Sequence, residues 1–152
     1  MTSTRPIPAL DFSRAKSALS EVMTEVFWEH RPLVVSRHRG REEMLLVRPD
    51  DLVRYLAPFR FESEVTIDAG ETTVALPKLG LLGFGETLDD AMQDLVEELR
   101  AYASDFFARS VFYGATERAE HAPWLLRFAL TPAERQLDLL HEDSRESVAA
   151  AV

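Results

Sequence analysis

The 152-residue chain predicts an α+β fold in which short strand pairs alternate with amphipathic helices. Three observations carry that expectation. Ala15, Leu19, Val22, Met23, Val26 and Phe27 recur at helical spacing, and two short apolar runs, Leu33-Val34-Val35 and Met44-Leu45-Leu46-Val47, follow on either side of Gly40. Phe61-Glu62-Ser63-Glu64-Val65-Thr66-Ile67 then alternates as a half-exposed strand does. Finally Leu88, Ala91, Met92, Leu95, Val96, Leu99, Tyr102, Ala103 and Phe106 form one stripe along a long helix.

Taken in order, Pro6 and Pro8 favour an extended start with a short edge strand near residues 7–10. Ser13 is placed to cap the first helix, which should stop near Trp28 to His30 because Pro32 forces its predecessor out of the α region. The two apolar runs read as a hairpin. Neither alternates with polar residues, so both faces are expected to be covered, one by helices and one by another subunit. Pro49-Asp50-Asp51 signals a helix start, with carboxylates favoured by the dipole, and a short helix ends before Pro58. Asp68-Ala69-Gly70-Glu71 turns the chain into a second strand over residues 72–76, closed by Pro77. Gly80, Gly83 and Gly85 read as a loose connection to the long helix, whose cap is Thr87 with Asp90 at N3. Residues 113–122 read as a polar connector and residues 121–130 as a short helix. Thr131-Pro132-Ala133-Glu134 has the form of a capping box opening a last helix through Leu140, and residues 141–152 read as a frayed tail.

Composition narrows the function. Cysteine is absent, so neither disulfides nor thiolate zinc sites are available, which fits a reducing cytoplasm. No continuous apolar segment has the length of a signal h-region or a membrane span. The net charge of −9 is uneven: residues 1–60 hold ten Lys/Arg against eight Asp/Glu, residues 61–152 seven against eighteen. An anion-facing first half and a second half suited to a basic partner follow, beside the plainer reading of acidic, soluble helices.

Catalytic patterns are missing. The three glycines precede a helix N-terminus, where phosphates bind, but their spacing fits no nucleotide motif and the helix opens with two aspartates. His30, His38, His121 and His141 form no HxH or HExxH pair, and no GxSxG or SxxK sequence marks a nucleophile. Asp89/Asp90 and Glu97/Glu98 read as a solvated helix face. No catalytic residue, metal site or cofactor is therefore assigned. The basic turn is different: Arg37, His38, Arg39 and Arg41 cluster at the hairpin tip, and Arg14 and Lys16 lie in the helix before it. Arginine suits phosphate contacts; turn and helix together offer about five cations per copy, and two copies in a symmetric dimer would offer about ten to duplex DNA. A merely solvated loop stands equally open on the residues alone.

Two stretches then resemble known families. Residues 12–23 (FSRAKSALSEVM), then Val34-Val35-Ser36-Arg37-His38-Arg39-Gly40-Arg41-Glu42, then Leu45-Leu46-Val47, resemble the Phd/YefM antitoxins over residues 7–57. Lys16 stands where that family usually has Arg, His38-Arg39 lengthens the turn by one residue, and Trp28 and Pro32 are unusual. Val74-Ala75-Leu76-Pro77 with Gly85-Glu86-Thr87-Leu88-Asp89-Asp90-Ala91 resembles the strand-then-helix signature GxTxxEA of HicB-like antitoxins over residues 61–108, Asp90 replacing the usual Glu.

The resemblance implies a Phd/YefM-like helix–hairpin–helix dimerisation and DNA-binding module at 1–58, a small HicB-like ββα unit at 59–112, and C-terminal helices with a possible toxin-binding segment at 113–152. It implies a non-enzymatic type II antitoxin that is a cytoplasmic homodimer. Such a protein neutralises a toxin, a basic ribonuclease of RelE-like or HicA-like type, and autorepresses its operon at operator DNA. The residues expected on DNA are Arg14, Lys16, Arg37, His38, Arg39 and Arg41. Those expected between protomers are Leu19, Leu33, Val34, Val35, Leu45, Leu46 and Val47, and those on the toxin are Trp124, Leu125 and Phe128. The competing class is a stand-alone dimeric transcriptional regulator without a toxin.

Overall fold

The computed structural model describes residues 5–150, with side-chain surroundings through Ser144; residues 1–4 and 151–152, including the last two of the expected tail, lie outside the described residues. The chain divides into two compact units, Met1–Tyr55 and Leu56–Val152, and the fold is α+β as the sequence predicts.

The first unit runs β1 (Ala9–Asp11), α1 (Phe12–Ser17), α2 (Leu19–Trp28), β2 (Leu33–Arg37), β3 (Glu42–Leu46) and α3 (Pro49–Tyr55). Its sheet has the order β1-β2-β3, with β1 parallel to β2 and β2 antiparallel to β3. The first helix is capped by Asp11, whose Oδ2 accepts from Ser13 N at 3.0 Å, rather than by Ser13 itself. A carboxylate one position before the helix satisfies an orphan N–H and suits the dipole better than a hydroxyl inside it. The expected single helix is two, broken at Ala18 (φ −115°, ψ 31°), where the Ser17 hydroxyl bonds back to Arg14 O at 3.0 Å. The second helix ends as His30 enters the left-handed region (φ 54°). Leu33 and Val35 on the central strand pack against Ala15 and Val22, with Leu10, Val26 and Leu46 at the margin. That is a small core for 55 residues.

The second unit runs β4 (Glu64–Asp68), β5 (Glu71–Leu76), β6 (Leu81–Gly85), α4 (Leu88–Ala108), α5 (Ser110–Gly114), a 3₁₀ turn (Glu117–His121), α6 (Ala122–Leu130), a 3₁₀ turn (Ala133–Arg135) and α7 (Gln136–Ala150). The hairpin between β4 and β5 closes in two residues, Ala69 (φ 51°) and Gly70 (φ 80°), the left-handed pair a tight hairpin turn demands. The glycine stretch expected to be a loose connection is instead a third antiparallel strand, β6, making the unit βββα. Gly83 lies directly beneath α4: a Cβ there would come within 2.3 Å of Ala91 O and 2.7 Å of Leu95 Cβ. These glycines let helix and sheet approach; they do not loosen the chain.

Thr87 caps α4 as expected, accepting from Asp90 N at 3.1 Å. The capping box at 131–134 does not form. Thr131 ends α6 instead, its hydroxyl donating to Arg127 O at 2.8 Å, and α7 begins only at Gln136. Nor is 141–150 a frayed tail: it continues α7. The reason is buried charge. Asp143 accepts from Arg127 Nη1 at 2.7 Å and from Phe61 N at 2.8 Å, while Arg127 Nη1 also donates to Phe59 O at 3.0 Å. Two ions in a dry interior persist only when paired and hydrogen-bonded, and this pair fastens α6 and α7 to the segment entering β4. One core joins Phe61, Val74 and Leu76 to Leu95, Leu99, Leu125, Phe128 and Leu140. No helix among the described residues is long and apolar enough to cross a membrane.

Candidate nucleic-acid and partner interfaces

Three consecutive residues of the basic turn, His38 (φ 53°), Arg39 (φ 59°) and Gly40 (φ 82°), hold left-handed backbone. Two of them carry side chains that rarely adopt it, so the tip is locally strained and its cations are thrown outward. The register Arg37↔Glu42 leaves residues 38–41 as the loop. Arg37 Nε is paired with Glu42, and His38 Nε2 stands 3.9 Å from the same carboxylate. Arg39 and Arg41 are exposed and have no ion pair among the described residues. The guanidinium of Arg37 also lies over the Phe12 ring, 5.9 Å from its centroid, which brings the start of α1, with exposed Arg14 and Lys16, beside the hairpin. The six basic positions expected from the sequence are thus displayed by one small unit. Glu42 and Glu43 beside them mute the field at the Arg37 end, leaving the tip itself as the cationic point.

The expected protomer interface separates into two groups. Leu33, Val34 and Val35 are buried within their own unit, so they are not surface anchors: the central strand already has neighbours on both edges and helices across one face. Leu19 and Leu45 are more than half exposed, and Leu46 and Val47 partly so. Sequence reasoning assigned Met23 and Phe27 to the core-facing stripe; both are exposed, Met23 at 62%. Together Leu19, Met23, Phe27, Leu46 and Val47 line an apolar groove of about 240 Å³ between α2 and the end of β3. The signal was available. The stripe of α2 is broader than a three-stranded sheet with one five-residue central strand can cover.

Arg48, which also lines that groove, lies over Phe27, 4.4 Å from its centroid, and 3.3 Å from His30 Nε2. Asp51, buried in the first turn of α3, accepts from His30 Nδ1 at 2.9 Å and from Arg54 Nη2 at 2.7 Å. The hydrogen bond from His30, and then that from Arg54, hold its carboxyl below the usual carboxylate range against the opposing effect of burial. This network fixes α3 to the end of α2.

The residues expected on the toxin fall mostly inside. Leu125 and Phe128 are fully buried in the core of the second unit, because α6 packs on α4; neither is available to a partner without unfolding. Trp124 is partly buried, with Nε1 donating to Arg60 O at 3.0 Å and Lys78 Nζ above its ring at 5.0 Å. Exposed apolar side chains occur instead on the sheet, at Val65, Ile67, Leu82 and Phe84, and at Val111 and Phe112 after α4. The alternation over residues 61–67 marked Val65 and Ile67 as one face of a strand, but it could not say that nothing would cover them. Among the described residues no group of three or more His, Asp or Glu side chains could hold a metal ion.

Comparisons with known proteins come to the same region of fold space. A family model described as "PHD_like: Antitoxin of toxin-antitoxin, RelE / RelB, TA system" matches residues 7–140. A crystal structure of an antitoxin part of a candidate toxin/antitoxin system from Syntrophomonas wolfei subsp. wolfei superposes with a TM-score of 0.74 at 22% identity, covering 85% of this chain and 92% of that one. No curated protein matches.

Proposed function

The chain belongs to the PHD-like family of antitoxins of RelE/RelB toxin–antitoxin systems, and from that premise we propose that it silences a cognate toxin by direct binding and represses its own operon as a DNA-binding homodimer. The observation that carries the DNA-binding part is the strained hairpin tip, where Arg39 and Arg41 have no ion pair among the described residues, with exposed Arg14 and Lys16 on the helix whose Phe12 lies under Arg37. The first unit is a Phd/YefM-type module. Its core is small and leaves the apolar groove along α2 and β3 uncovered, and that groove is the face a second copy covers.

The second unit acts as a HicB-like module whose acidic surface meets a basic toxin, a ribonuclease of RelE-like or HicA-like type. Complementary charge accelerates such an encounter more than it tightens the complex. The protein works stoichiometrically, in the cytoplasm, and catalyses nothing.

Co-expression with the product of the adjacent gene tests the toxin half. Growth arrest by that product alone, relieved by this chain, is the expected result, and arrest that this chain never relieves overturns it. Titration of the upstream promoter fragment tests the DNA half. Arg39→Ala with Arg41→Ala removes four cations per dimer and should lower the slope of log K against log salt by about three to four. Binding as tight and as salt-dependent as that of the wild type would remove the turn from the interface.

A further inference from the structure

The two outer edges of the second sheet are treated differently. On β6 the Phe84 N–H donates to Asp94 Oδ2 of α4 at 2.9 Å, so a side chain of the helix takes up that part of the edge. On β4 nothing comparable exists: among the described residues it pairs only with β5. Natural sheets blunt a free edge with proline, charged side chains, a bulge or a short strand; Glu64-Val65-Thr66-Ile67-Asp68 has no proline, lysine or bulge, and its only charges are the carboxylates at its two ends. Val65 lies opposite Val74 and Ile67 opposite Thr72, on the helix side of the sheet, yet α4 lies over β5 and β6 and leaves both side chains bare. Ile67 is 74% exposed. Glu64, Thr66 and Asp68 occupy the other face.

Charge then selects the occupant. Residues 61–77 contain Glu62, Glu64, Asp68 and Glu71 and no Lys or Arg. A second copy pairing antiparallel about Thr66 would set Glu64 directly across from Asp68 of its mate, a repulsion at both ends of the ladder. A strand patterned basic–apolar–any–apolar–basic meets every requirement at once. Its amides complete the ladder, its apolar pair covers Val65 and Ile67, and its cations lie opposite Glu64 and Asp68.

We propose that the free edge of β4 is the docking site for such an extended segment of a basic partner protein, which, resting on the function proposed above, is the toxin. This is strand addition: main-chain hydrogen bonds supply affinity, and alternate side chains supply selection.

The probe is a fluorescent peptide with Lys-Val-Thr-Val-Lys at its centre, a palindrome that serves either strand direction, titrated onto the full-length protein by anisotropy at low salt. Saturable binding is expected. Ile67→Lys, at an exposed position and checked for an unchanged melting temperature, should weaken it at least tenfold, as should N-methylation of the peptide backbone. Glu64→Lys with Asp68→Lys should abolish it and confer binding of Glu-Val-Thr-Val-Glu. The proposal is overturned by any one of three results. These are no binding to the wild type, binding by Ile67→Lys within twofold of wild type, and a change of oligomeric state in Ile67→Lys, which would assign the edge to a second copy. The adjacent gene product separates this proposal from the broader one. If it co-purifies equally with wild type and Ile67→Lys, the edge is not its site although the antitoxin reading stands. If the peptide binds and the gene product never does, the edge stands and toxin binding fails.

Discussion

Asp51 shows at the residue scale how little of a site a sequence spells out. Its place at the start of a helix was legible, since Pro49-Asp50-Asp51 is a dipole-favoured opening. Its burial and its partner His30, 21 positions away, were not, because the meeting depends on His30 adopting φ 54° after α2. The same holds for the basic turn: three arginines could be counted, but the left-handed backbone of His38 and Arg39 could not be foreseen from residues that usually avoid it. Asp51 carries a pH dependence whose sign is fixed. Its folded pKa lies below the ordinary 3.8, so its contribution is present above 3.8 and is lost as pH falls through the lowered value. Asp51→Asn should therefore melt below wild type at pH 7, with the gap closing as the pH drops under 3.8. Paired thermal scans from pH 7 to pH 3 check this, and a gap that stayed constant throughout would show that the carboxylate's charge is not what matters there.

Elements were more legible than residues, and one of the misses shows plainly why. Strong periodicity located α4 and the alternating strand of the second hairpin, because burying an apolar face fixes the period of the sequence that makes it, while the first hairpin was marked by apolar runs on either side of Gly40. Where glycine replaced side chains in β6, the same logic had nothing to count. The close approach of α4 explains both that gap and the signature it sits in. Gly83 and Gly85 leave room for the helix backbone, Thr87 caps it, and fully buried Ala91 is small enough to lie on the strand. The run from Gly83 to Ala91 is a packing device at a helix–sheet contact and not a phosphate loop. Gly83→Ala should cost about 3 kcal/mol, the upper end for overpacking, because the added methyl meets backbone that cannot swing aside. Urea denaturation with an unchanged m-value would read the loss directly. A cost under about 0.5 kcal/mol would mean the helix slides away at no expense.

At the scale of the whole molecule the chain joins two units of opposite character. The first has a small core, an apolar groove and a cationic tip; the second has a large core and an acidic surface. Composition disclosed the charge asymmetry, but a tally of apolar residues could not tell core from interface. Leu33 and Leu45 look alike in sequence, yet one is buried within its unit and the other is more than half exposed. The proposed division of labour makes the two activities separable. Leu19→Glu with Met23→Glu puts charge into the groove at exposed positions, where each monomer tolerates it and a pair of facing copies does not. Sedimentation should then show a monomer for the variant and, as proposed, a dimer for the wild type. Operator binding should weaken by at least tenfold and its salt slope fall by about half, since one copy carries half the cations. Toxin capture by the second unit should be unaffected at equal protomer concentration. A double variant that still sediments as a dimer would place the interface elsewhere. One that loses toxin along with DNA would show that the two units do not work independently.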